Sequence, residues 1–148
     1  MPSISRSALV EHSSLKMFNL VNDVEHYPER FSWCESAEVS IATPDRKVAK
    51  LQLRMAGFST WFMTDNALNP PHDIRMRFVD GPFRSLDGLW TFHALDESAC
   101  KVSLKLDFEP RIGLLGPAFA LGFQALADRM VDDFIRVADQ VSPTAQDE

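Results

Sequence analysis

Residues 117–141, PAFALGFQALADRMVDDFIRVADQV, decide how the rest of the chain is read. The apolar residues Phe119, Phe123, Leu126, Met130, Phe134, Val137 and Val141 recur in steps of three and four, which is one face of a helix. Asp128, Arg129, Asp132, Asp133, Arg136, Asp139 and Gln140 fall between them on the wet face. Such a helix runs roughly 37 Å. An inward face this long, carrying phenylalanines and a methionine, needs a large concave partner. The expectation is a curved sheet folded around it.

The preceding sequence supplies that sheet. Ile4 to Val10 reads as a strand, Ser13 or Ser14 can cap a helix with Leu15, Phe18 and Val21 inward, and Val24 to Phe31 reads as a second short helical segment containing Pro28. From Cys34 the period becomes two. Ala37, Val39 and Ile41 alternate before the turn at Thr43, Pro44 and Asp45. Ala49, Leu51, Leu53 and Met55 alternate with Lys50, Gln52 and Arg54; Phe58 to Leu68 is apolar on both sides; Asn69 to His72 is a turn. Three more alternating segments follow: Ile74, Met76 and Phe78; then Leu86, Gly88, Trp90, Phe92 and Ala94; then Val102, Leu104, Leu106 and Phe108. Successive closely spaced strands of this kind predict an antiparallel sheet with one buried and one wet face.

With 148 residues the chain is one domain's length, and 45% hydrophobic with 24% charged is ordinary for a globular protein. Eleven Phe and three Trp stand against one Tyr, which suits a dense core or a greasy cavity lining. A net charge of −6 argues against DNA binding. Cys34 and Cys100 lie far apart, and neither they nor the four histidines form a ligand cluster, so no metal and no cofactor are expected. The N-terminus lacks a secretion pattern, and the apolar run Ile112 to Phe123 is about half of the ~20 residues a membrane span needs. The expectation is a cytoplasmic protein that at most touches the inner membrane from one side.

Three segments carry a resemblance: Tyr27-Pro28-Glu29-Arg30-Phe31-Ser32-Trp33-Cys34; Asp80-Gly81-Pro82-Phe83-Arg84 followed by Gly88-Leu89-Trp90-Thr91-Phe92; and Phe119, Phe123, Met130, Val131 and Phe134. With the opening residues 1–10, they resemble the START-like (SRPBCC) family of coenzyme Q-binding proteins and RatA-type ribosome association toxins, formerly called oligoketide cyclase or lipid transport proteins. The resemblance implies an α+β helix-grip fold over residues 1–141; the polar residues 142–148 that follow read as a disordered tail. It further implies a cavity between sheet and helix. Family members are associated with binding ubiquinone in support of respiration, or with the large ribosomal subunit and a block on subunit association.

Two functions are therefore carried forward. The first is a carrier or chaperone of a polyprenyl quinone such as ubiquinone, held by Met55, Phe62, Met76, Phe78, Asp80, Trp90, Phe92, Leu104, Leu106, Phe119, Phe123 and Met130. Methionines suit a loosely fitting apolar guest, though plain core packing accounts for most of these residues equally. The connection from Arg111 to Pro117, with Gly113 and Gly116, reads as an ordinary link or as a lid making transient membrane contact. Asp80 to Phe83 is a tight turn or a head-group contact. The alternative function is a ribosome-binding regulator whose convex face presents Lys50, Arg54, Arg75, Arg77, Lys101 and Lys105 to RNA phosphates. Catalysis is not expected, because no nucleophile–His–carboxylate set is visible.

Overall fold

The computed structural model describes residues 3–55, 58–111 and 116–140. The elements follow as β1 (Ser3–Val10), α1 (Ser14–Asn22), a 3-10 turn (Val24–His26), α2 (Tyr27–Arg30), β2 (Cys34–Thr43), β3 (Arg46–Met55), β4 (Phe58–Asn69), β5 (Asp73–Asp80), β6 (Phe83–Asp96), β7 (Ala99–Pro110) and α3 (Gly116–Gln140). The strands form one seven-stranded sheet in the order β1-β7-β6-β5-β4-β3-β2. Every pairing is antiparallel. Strands joined by tight turns pair with their neighbours, and β1 adds beside β7 to complete the sheet. Helix α3 packs against β1 and β7 near one edge and β3 near the other. The sheet therefore curls around it, in the helix-grip arrangement expected from the spacing of Phe119 to Val137.

The second helical segment divides in two. Pro28 falls at the start of α2, where its missing N–H costs no helical bond. The alternation expected along Ala37, Val39 and Ile41 also breaks. Val39 pairs with Ala49, but a bulge shifts the register so that Ile41 pairs with Val48. Ile41 thereby turns to the opposite face and is 38% exposed. β2 is an edge strand, and bulges there twist an edge away from further pairing.

The acidic residues read as the wet face of α3 are partly structural ties. Arg6 on β1 donates to Asp128 Oδ1 at 3.0 Å and to Asp132 Oδ1 at 3.2 Å. Trp33 Nε1 donates to Asp133 Oδ2 at 2.9 Å. Ser13 caps α1 by accepting from the Lys16 backbone N–H at 3.0 Å, and the buried Lys16 ammonium donates to the Ala138 carbonyl, also at 3.0 Å. His12 Nε2 lies 2.7 Å from Asp139 Oδ1. All these ties fall on the second half of α3, whereas the first half is held through Phe119 and Phe123.

Two aromatic groups fill the grip. Phe83 stands at the centre of the first, with ring centroids at 4.9 Å from Phe123, 5.4 Å from Phe119, 5.9 Å from Phe78, 6.0 Å from Phe62 and 6.1 Å from Phe108. Tyr27, Phe31, Trp33, Trp90 and Phe134 form the second, in which Phe31 stacks on Trp33 at 4.7 Å. Gly81, at φ 141°, turns the chain into β6; a Cβ there would sit 2.9 Å from Phe62 Cβ and 3.1 Å from the Trp61 carbonyl oxygen. Only glycine fits. The expected tail, residues 142–148, and the middle of the 111–117 connection lie outside the described residues. Among the described residues, no helix is long and apolar enough to cross a membrane.

Candidate ligand cavity beneath the long helix

Between the two aromatic groups lies a cavity of about 60 Å³. One enclosed water takes roughly 10–15 Å³ on this scale, so the space suits a few waters. Nearly every element contributes to its wall. Val21 and Asn22 come from the end of α1, Val24 and Tyr27 from the short helical turns, and Ala49 and Leu51 from β3. Phe62, Thr64 and Asn66 come from β4, Ile74 and Met76 from β5, Leu86 and Trp90 from β6, Leu104 and Leu106 from β7, and Phe123, Met130 and Phe134 from α3.

Lys47, Asn66, Met76, Gly88, Leu106 and Ile4 form one cross-strand row on the concave face. Gly88 carries no side chain in the middle of that row, and Met76 and Leu106 fill its place. A Cβ there would lie 2.4 Å from Met76 Cε and 3.0 Å from Leu106 Cδ1. The bulky neighbours lean over the glycine.

Of the residues expected to meet a ligand, Phe62, Met76, Trp90, Leu104, Leu106, Phe123 and Met130 come together in this wall. Met55, Phe78, Asp80, Phe92 and Phe119 do not. Phe92 is buried between Trp90 and Phe18, and Phe119 and Phe78 pack on Phe83, so these rings are core. Met55, 6% exposed, is likewise core. Asp80 is displaced by a bulge: Phe78 pairs with Thr64 on the concave side, while Asp80 pairs with Met63 on the convex side. Its carboxylate accepts from the Gly81 N–H at 2.9 Å and serves the turn.

Sequence reasoning missed the polar part of the wall. Phe58 to Leu68 looked apolar on both sides, but once Phe62 is placed inward, Thr64 and Asn66 follow at period two. Each of them is only 6% exposed. Asn66 Oδ1 and Asn22 Oδ1 are buried without a hydrogen-bond partner. Next to them, Lys47 Nζ donates to the Asn22 carbonyl at 2.7 Å and to Glu25 Oε1 at 3.0 Å. Tyr27 is the wall's ionisable side chain; its hydroxyl donates to the Val21 carbonyl, and burial pushes its pKa up. Among the described residues, no group of three or more His, Cys, Asp or Glu could hold a metal ion.

The convex face carries the expected cations, interleaved with acids. Arg54 lies 3.5 Å from Glu35, Arg75 lies 3.4 Å from Asp87, and Arg46 lies 2.9 Å from Asp65. Lys50 sits 4.5 Å over the Trp61 ring. A shallow depression groups Arg75 and Lys105 with Asp87 and Asp107. The face is mixed in sign.

A family model described as polyketide cyclase/dehydrase and lipid transport matches residues 10–135. The ribosome association toxin RatA of Vibrio cholerae is 45% identical over 141 residues, covering 95% of this chain and 98% of the relative. RatA of Escherichia coli K12 is 40% identical, covering 95% of this chain and 89% of the relative. Among solved structures, the Zhui aromatase/cyclase from Streptomyces sp. R1128 superposes with a TM-score of 0.79 at 19% identity, covering 94% of each chain.

Proposed function

The chain belongs to the polyketide cyclase/dehydrase and lipid transport family, and we propose that it is a ribosome-associating regulator of the RatA type. The observation that carries this reading is the 45% identity running through 95% of this chain and 98% of a relative named for ribosome association. The convex face supplies cations for RNA phosphates, with Asp65, Asp87 and Asp107 limiting how many engage at once. The test is co-sedimentation with large ribosomal subunits on density gradients across a salt series. Expected is association at low salt, together with fewer assembled ribosomes. Binding should fall at least about tenfold between low and moderate salt if a few phosphates are contacted. Protein remaining at the top of the gradient at every salt concentration overturns the reading.

The cavity favours a second reading, the binding of a hydrophobic guest such as a polyprenyl quinone in a carrier or chaperone role. Its support is the apolar wall and the lipid transport description of the family. A space of about 60 Å³ is smaller than the roughly 150 Å³ that holds a benzene ring, so head group and tail alike enter only as the cavity widens. That widening would fall to the first half of α3, since the polar ties run from Asp128 onward. Native mass spectrometry and organic extraction of protein purified from its own cells test this. Stoichiometric prenyl quinone supports it; an empty protein that also refuses added ubiquinone overturns it. Cavity catalysis is disfavoured, because Tyr27 is committed to Val21 and the other wall residues are amides, a hydroxyl, an indole, thioethers and hydrocarbon. Any membrane contact at the inner membrane would fall to the 111–117 connection.

A further inference from the structure

We propose that the cavity selects a neutral head group bearing hydroxyl donors, of the hydroquinone or alkylphenol class, over the matching quinone and over carboxylates. This rests on the reading that the cavity takes a hydrophobic guest. The recognising atoms are the side-chain amides of Asn66 and Asn22, with Thr64 beside them in the wall.

Both amides leave a buried carbonyl oxygen unpaired, and they come from independent elements, β4 and the end of α1. A buried acceptor without a donor is costlier than a made bond is favourable, so two at one cavity call for a partner. Lys47 links them: it pairs with Asn66 across β3 and β4, and its ammonium reaches the Asn22 backbone carbonyl at 2.7 Å. That ammonium is also matched by Glu25 at 3.0 Å. No described wall residue is cationic, so a carboxylate guest would carry an uncompensated charge into an apolar wall.

The preference for hydroxyls follows from each amide presenting Oδ1 as its buried unpaired atom. Its oxygen needs a donor and its NH2 group needs an acceptor. A hydroxyl supplies both. A quinone ring carries acceptors alone and would leave the amide oxygens unpaired.

The test is isothermal titration of four probes sharing a decyl chain: decylhydroquinone under anaerobic reducing conditions, decylbenzoquinone, decylbenzene and decanoate. The hydroquinone should bind about tenfold more tightly than the quinone, as expected for one or two net hydrogen bonds. Decanoate should bind most weakly. Asn66→Leu should bring the hydroquinone-to-quinone ratio close to one. Asn22→Leu, at a less buried position, provides the same readout if Asn66→Leu does not fold. Equal affinity for quinone and hydroquinone, or a preference surviving in both variants, overturns the head-group assignment while decylbenzene binding upholds the cavity. Failure of all four probes overturns the cavity reading and the assignment together.

Discussion

Phe83 offers the sharpest test of how this core is built. It is 1% exposed, and its ring lies 4.9 Å from Phe123, 5.4 Å from Phe119 and 6.0 Å from Phe62 by centroid. Phe83→Ala removes the hub of that group and leaves a void ringed by aromatic edges. Core Phe→Ala changes cost about 3–5 kcal/mol, and each lost edge-to-face pair adds roughly 0.5–1.5 kcal/mol where the neighbours do not close in. We expect about 4 kcal/mol, from a total on the order of 5–15 kcal/mol. At roughly 2–4 °C per kcal/mol for a domain near this size, the melting temperature should fall by about 8–16 °C. The assay is urea unfolding followed by far-UV circular dichroism, with a lowered midpoint at unchanged slope. Asp80→Ala is the control from the same turn: an exposed carboxylate bonded to its neighbour's N–H should cost under about 1 kcal/mol. A loss below roughly 1.5 kcal/mol for Phe83→Ala, or an equal loss for Asp80→Ala, refutes the assignment of this segment as a core plug.

Gly88→Ala should crowd the cavity. The new Cβ meets the flexible end of Met76 at 2.4 Å and Leu106 at 3.0 Å, so the fold should survive at a cost near 1–2 kcal/mol while decylbenzene affinity drops. Undiminished affinity by titration would place the guest elsewhere. Burial pushes the thiols of Cys34 and Cys100 up to about 11. Neither should react with iodoacetamide at pH 8 until the protein is unfolded in urea. The sign of the linked stability follows: below the ordinary thiol range both states keep their protons, and above it the unfolded chain loses them more readily. Stability should therefore decline as pH rises from about 9 to about 11. A flat urea midpoint across that window contradicts it.

The strength of each sequence signal follows from how local its cause is. Phe119, Phe123 and Phe134 announce α3 because helical periodicity depends only on the chain's own geometry, and the same holds for the period-two runs of β3, β6 and β7. Once these elements are known, a sheet wrapped around a helix is nearly forced, because nothing else buries so long an apolar face. Bulges were not legible. One extra residue after Val39 and one after Phe78 sent Ile41 and Asp80 to the convex side. β4 was ambiguous because Trp61 and Met63 made its outer face look like an inner one.

Outside the bulges and β4, alternation along the sequence by itself determined which residues turn inward, and the long stripe determined what they turn toward. Only the tertiary structure decided which inward residues meet a cavity and which meet each other. Phe92 and Phe119 are as inward as Trp90 and Phe123, yet they are swallowed by neighbouring rings, because that outcome depends on sheet curvature and on which side chains it brings against them. The same holds for the polar end of the site. Asn22 and Asn66 are 44 positions apart in the chain, and nothing in either local sequence says that they share a wall. The curl of β3 and β4 toward the end of α1, fastened by Lys47, brings them to one cavity.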